Sequence, residues 1–298
     1  MAIIRAVIAS WILAGLLLPA WATQPTHAPT DGATGPQRGL LWKVEGAAAP
    51  SYLFGTVHSD DARVTRLAPV VAETFARSDS FTLEAIANGE GLIRMAEAMY
   101  FADGRTLKAV LGAPLYQDTV RALQGRGLPA DDIEKKKPWA VLMALSMPKP
   151  RSGLFLDLAL QLEATKQGKP TYGLETLAEQ MAVFDNLPLA DQVTLLTHTV
   201  ANASKLDAQF DELLHAYLSR DLDALVALEV RHRPADDTAY RGFMDRLLRQ
   251  RNLRMLERMQ PRLEEGNAFI AVGALHLPGQ EGLLRLLRRA GYRVTPVY

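Results

Sequence analysis

The chain is predicted to be α/β, of the α+β kind: a small mixed sheet built from both chain ends and holding a large helical insertion. Three observations in the 298 residues predict it. Two apolar runs, Tyr52-Leu53-Phe54 near the start and Ala268-Phe269-Ile270-Ala271-Val272 near the end, have the length and composition of buried strands. Each closes on Gly-x-x-His, as Gly55-Thr56-Val57-His58 and Gly273-Ala274-Leu275-His276, and each is followed by a helical pattern and a further strand. Between them, from Gly91 to Gln260, almost every segment carries the helical period.

In chain order, residues 1–22 read as a signal peptide. Arg5 supplies positive charge, Ala6 to Leu18 an apolar core, and Ala20-Trp21-Ala22 a small-x-small cleavage site. Pro19 ends the apolar stretch too early for a comfortable span, so an exported protein, periplasmic or secreted, is expected, with no stable membrane insertion after cleavage. Residues 23–38, rich in Pro, Thr, Gly and Ala, read as a flexible leader, and His27 within it as inert. Residues 39–298 then form one domain, with the helical insertion over about residues 91–260.

Leu40 to Glu45 and Ser51 to Gly55 are strand-like and separated by a Gly46 to Pro50 turn signal, which predicts a hairpin. Val70, Val71, Thr74 and Phe75 recur at helical spacing, with Pro69 suited to a first turn. Ser80 to Ala85 alternates and predicts a strand that brings Glu84 beside the first histidine strand, within reach of His58. Helices are predicted over Leu92 to Tyr100, Pro114 to Gly125, Trp139 to Ser146, Phe155 to Gln167, Thr176 to Phe184, Leu189 to Ala201, Ala208 to Leu218, Leu222 to Arg231 and Asp237 to Met259. Pro170 to Glu175 interrupts them as a brief strand.

Lys plus Arg and Asp plus Glu both number 33, so no global field draws nucleic acid or an anionic membrane. The absence of cysteine rules out disulfides and a lipidated cysteine, and leaves nitrogen and oxygen as the ligands for any metal. The sequence specifies no oligomeric state. With 6 His and 21 Gly, about 0.4 Gly-x-x-His matches are expected by chance; two, each ending a strand, point to a site. Arg251 falls in the stripe of Tyr240, Met244, Leu247, Leu248, Met255 and Met259, so a carboxylate, a substrate or a developing oxyanion should face it, unless it snorkels from the stripe's edge. Asp157, on an otherwise apolar helix, is a candidate to support the site from behind its ligating residues, although an acid at a helix N-terminus is favoured by the dipole in any case. His198, His215 and His232 read as surface groups, and Lys135-Lys136-Lys137 as a solvated turn.

Gly55-Thr56-Val57-His58, Phe81-Thr82-Leu83-Glu84, Tyr172-Gly173-Leu174-Glu175 followed by Glu179-Gln180, Arg251-Asn252, Gly273 to His276 with Gly279, and Gly291-Tyr292-Arg293-Val294 together resemble the TraB/GumN family. That family looks related to the Tiki metalloproteases and, more distantly, to erythromycin esterases and haem-associated ChaN-like proteins. The resemblance implies a catalytic centre of His58, Glu84, Arg251 and His276. In a metal-dependent version His58, Glu84 and His276 hold a divalent Mn, Co or Zn ion, Glu84 serving as ligand or base, and Arg251 stabilises an oxyanion. In a metal-free, esterase-like version His58 is the base, Glu84 orients it, and His276 and Arg251 hold the carbonyl. The expected function is an exported, metal-dependent, peptidase-like hydrolase of a peptide or of a small ester or amide. The alternatives are a non-catalytic protein that holds a peptide, haem or metal ion, and, through its helices, an assembly role.

Overall fold

The computed structural model describes residues 37–130, 132–234 and 238–298; the predicted signal peptide and nearly all of the predicted leader lie outside them. Six strands form one mixed sheet: β1 (Leu41–Glu45), β2 (Ser51–Thr56), β3 (Ser80–Ala85), β4 (Thr171–Glu175), β5 (Ala268–Gly273) and β6 (Arg293–Pro296), in the order β4-β3-β5-β2-β1-β6. The four strands β4, β3, β5 and β2 run parallel, and β1 is antiparallel to both β2 and β6. β3 and β5 are buried at every position, as strands covered on both faces must be. This explains the unbroken apolar run of β5, whereas β3 alternates and buries Ser80, Thr82 and Glu84 as well.

The first and last described segments meet in this sheet, as expected. The Gly46 to Pro50 turn closes the β1–β2 hairpin, with Gly46 at φ 145°, a conformation that disfavours a side chain. The Tyr298 carbonyl then accepts hydrogen bonds from the Leu40 and Leu41 N–H groups, which ties the last residue to the first strand. Phe54, Phe75, Phe81 and Phe269 pack with centroids 5.2 to 6.3 Å apart at the heart of the sheet's core. A second apolar cluster, including Leu107, Leu123, Leu142, Leu195 and Phe243, belongs to the insertion alone.

The helices agree with the periodic segments to within a few residues, and the differences have local causes. Gly89–Ala98 starts early because the Asn88 side chain accepts from the Gly91 N–H and caps the first turn. Ala62–Thr65 and Leu107–Leu111 are too short to show a period. The long run predicted over Asp237 to Met259 is divided among the described residues into Thr238–Met244, a π-helical stretch Asp245–Gln250, and Arg251–Glu265, which continues past Met259 through Pro261. No helix among the described residues is long and apolar enough to cross a membrane.

Candidate active site at the carboxyl ends of the sheet

β2 and β5 are direct parallel neighbours, with Thr56 opposite Gly273, so the segments that follow them leave the sheet side by side. His58 lies two residues beyond the end of β2, and His276 closes a 3-10 turn, Ala274–His276, directly after β5. Both imidazoles line one small cavity together with Thr56, Tyr217, Leu213 and Leu275. It has room for about one water molecule, roughly 20 Å³. Glycine is needed at Gly55 because a β-carbon there would stand 2.8 Å from Leu277 and 3.2 Å from the Ala274 backbone. The close approach that packs the second histidine turn onto the first histidine strand depends on that missing side chain.

His58 is buried and stacks on Phe155 at 3.9 Å between ring centres. Its Nδ1 lies 3.8 Å from Oδ2 of Asp157, whose Oδ1 accepts a 2.7 Å hydrogen bond from the Thr56 hydroxyl. The segment that carries Phe155 and Asp157 is pinned by the residues following His58. Asp60 Oδ2 accepts from the N–H groups of Arg151, Ser152 and Gly153 at 2.6, 2.6 and 2.8 Å, and the Ser59 carbonyl accepts from the Leu156 N–H. Burial works against charge on Asp60, but the backbone donors prevail and hold its carboxyl below the ordinary range.

His276 belongs to a different network. The Asn252 NH₂ donates to the Glu281 carbonyl at 2.7 Å, which turns Oδ1 toward His276 Nδ1 at 2.6 Å. An amide oxygen only accepts, so Nδ1 carries the proton and Nε2 the lone pair, which faces Arg251 Nη1 at 3.3 Å. Burial pushes the imidazole down to about 4, so it is neutral near pH 7. Arg251, only 2% exposed, is saturated. Its Nε donates to Glu175 at 2.8 Å, Nη1 also reaches the Leu247 carbonyl, and Nη2 bridges Glu84 and Glu175. The guanidinium in the apolar stripe thus faces carboxylates, and it does not snorkel.

The structure corrects the expected position of Glu84. β3 pairs with β5 and β4 and never with β2, so Glu84 stands beside the second histidine strand rather than the first. Its Oε1 accepts the Gly273 N–H at 2.6 Å and lies 3.6 Å from His276 Nε2, and its Oε2 takes Arg251 and Gln180. Among the described residues, a carboxylate that does lie beside His58 is Asp157. Burial opposes ionisation of Glu84, but the Arg251 charge prevails and keeps the carboxyl below the usual range. Burial raises Glu175, against the pull of the same guanidinium.

A model of the TraB/PrgY/gumN family matches residues 40–296, which is nearly the whole described fold. The chain belongs to this family. Among curated relatives of this TraB/PrgY/gumN member, "Metalloprotease TIKI2" of Danio rerio is 28% identical over 86% of the chain and 60% of the relative. "Metalloprotease TIKI1" of Homo sapiens is 26% identical over 86% and 61%. "Uncharacterized protein YbaP" of Shigella flexneri is 24% identical over 80% and 88%. The chain spans about three-fifths of the length of the first-matched TIKI relatives. No solved structure matches.

A divalent ion, which the relatives' name suggests, fits the observed donor set poorly. Among the described residues no three His, Asp or Glu side chains are grouped to hold one. Both Glu84 oxygens are engaged, His276 Nδ1 is committed to Asn252, and its Nε2 already meets a fixed positive charge that would repel a second cation.

Sequence reasoning missed Glu175 and Gln180 as site residues, although both belong to the quoted Leu174-Glu175 and Glu179-Gln180 motifs. It also missed Asn252, whose only signal was its place after Arg251. Two surface expectations need correcting. His232 is buried against Gln209, because its helix end packs on Leu206–Leu218. Lys136 and Lys137 are partly covered and paired with Asp132 and Asp185. His215 is exposed and His198 half-buried.

Proposed function

We propose that this protein is a peptidase-like hydrolase of amide or ester bonds, acting at the cavity between His58 and His276. One observation carries the reading: imidazoles more than two hundred residues apart in sequence line the same pocket at the carboxyl ends of adjacent parallel strands, where open α/β sheets place their ligands. The name borne by the TIKI relatives supports the peptidase side of it.

In this mechanism His58 takes a proton from a water held in the cavity, the water attacks the substrate carbonyl, and the imidazolium returns that proton to the departing amine or alkoxide as the C–N or C–O bond breaks. His276 forms the facing wall. Burial and the Arg251 charge hold the ring neutral against the pull of Glu84, Glu84 and Arg251 fix its surroundings, and Asn252 sets its tautomer. An oxyanion role for Arg251 would require it to release one of its present acceptors. The substrate chain would lie in the neighbouring cleft of about 330 Å³, which shares Leu275 with the histidine cavity and is lined also by Tyr240, Met244, Leu248 and Asn252. Export, suggested by residues 1–22, belongs to the same reading; N-terminal sequencing of protein from fractionated cells tests it.

The deciding experiment is digestion of a peptide library and an ester panel by purified protein, with EDTA and with added Mn²⁺, Co²⁺ or Zn²⁺, beside His58→Ala. Turnover that disappears in the variant is expected. Turnover unaffected by EDTA would agree with the donor geometry, and turnover only with metal would revise it. No turnover under any condition would sink the hydrolase reading. The saturation of Arg251 and His276 favours, as a second reading, a protein that holds a ligand without cleaving it. His58→Ala with full biological activity would select that one.

A further inference from the structure

We propose that Asp157, held in place by a clamp around Asp60, is the positioning carboxylate that orients the His58 imidazole. The proposal rests on the reading of His58 as the base, but its test needs no turnover.

Asp157 Oδ1 is satisfied by the Thr56 hydroxyl, whereas Oδ2 is buried, makes no hydrogen bond and lies 3.8 Å from His58 Nδ1. An unmet buried carboxylate oxygen is costly, and a closure of roughly 1 Å brings an Nδ1–H within ordinary hydrogen-bond range. The stack on Phe155 fixes the plane of the ring, so a partner at one edge suffices to set its orientation. Phe155 and Asp157 are themselves held by Ser59 and Asp60 through four backbone N–H groups. The residues next to His58 in sequence thus build its surroundings in space.

The bland account of Asp157 is an acid placed in a first turn to suit the helix dipole. The dipole favours an acid there whether or not it hydrogen-bonds the helix, but it does not decide where the oxygens point: Oδ1 accepts from Thr56 on β2, and Oδ2 faces His58. Donation from Nδ1 to Asp157 leaves the lone pair on Nε2, the form a general base requires.

Long-range ¹⁵N NMR at fixed neutral pH reads the tautomer of each histidine, with His58 assigned by the signal lost in His58→Gln. The expected wild-type state is His58 protonated at Nδ1. In Asp157→Asn the Thr56 hydroxyl keeps the amide oxygen, the amide NH₂ faces Nδ1, and the proton moves to Nε2. Asp157→Glu should restore part of the wild-type signal, and Thr56→Val, which frees the carboxylate to rotate, should weaken it. His276 should stay protonated at Nδ1 throughout and reports an intact fold. His58 protonated at Nε2 in the wild type, or a tautomer unchanged in Asp157→Asn, would overturn the proposal. If Asp157→Asn does not fold, the wild-type tautomer and Thr56→Val decide it. Where turnover is found, Asp157→Asn should lower kcat at least 100-fold with little change in KM. Absent turnover with the expected tautomers would reject the hydrolase and leave the positioning role standing.

Discussion

Arg251 places a full positive charge where a helix normally buries leucine, and its two carboxylate partners sit on neighbouring strands. Desolvating three charged groups is expensive, and removing the central one takes the guanidinium from Glu84 and leaves Glu175 only Arg254, 3.5 Å away. Arg251→Met is therefore expected to cost about 3–5 kcal/mol in urea unfolding, with Glu84→Gln added to it recovering part of the loss. His276 makes the fold acid-sensitive in a defined direction. Its imidazole is lowered from 6.5 to about 4, so between those values the unfolded chain binds the proton that the folded one refuses, and stability falls as pH falls through that window. The size of this loss is about 3 kcal/mol. Glu84, lowered by Arg251, adds a loss at still lower pH, whereas Glu175, raised by burial, works the opposite way. A smaller drop in urea midpoint for His276→Gln than for wild type between about pH 7 and 5 would bear this out; equal drops would contradict it. Arg251 was legible because a charge in an apolar stripe is conspicuous. Asn252 was not, since an amide beside it has no pattern until its two hydrogen bonds are seen.

The π-helical stretch Asp245–Gln250 is the element that aims Arg251. Six residues of wider winding join Thr238–Met244, whose Tyr240 and Phe243 pack into the insertion, to Arg251–Glu265, whose Met255 and Met259 pack on the sheet. Sequence periodicity runs through this stretch without a break, which is why it predicts one helix. Deleting Gln250 should turn one half against the other by about 100°. Either Arg251 or the Tyr240 face must then leave its site, and a lower melting temperature by thermal denaturation is expected, together with loss of any turnover. At the opposite side of the pocket, Gly55→Ala drives a methyl to 2.8 Å from Leu277, a fully buried side chain. Overpacking of this kind costs about 1–3 kcal/mol. Stability and the His276 turn should therefore suffer together in Gly55→Ala, seen as a reduced urea midpoint and a shifted His276 NMR signal.

The strands, the hairpin and the helical insertion were legible across the described residues because buried runs and amphipathic periods are local signals. Strand order was not, because pairing between segments as distant as Ser80–Ala85 and Ala268–Gly273 leaves no mark in either. That single gap moved Glu84 from one histidine to the other and hid Asp157 as the acid beside His58. The last strand closes the architecture: β6 pairs only with β1, and Tyr298 caps Leu40 and Leu41. Removing residues 293–298 should strip β1 of its outer partner and broaden the unfolding transition in urea. The order of strands also governs when a pocket first exists. β5 is inserted between β2 and β3, so those two early strands cannot hydrogen-bond to a shared neighbour until Ala268–Gly273 has been made and has docked. A nascent chain that has not yet reached β5 presents His58 without the wall that faces it, and no pocket exists before that strand docks.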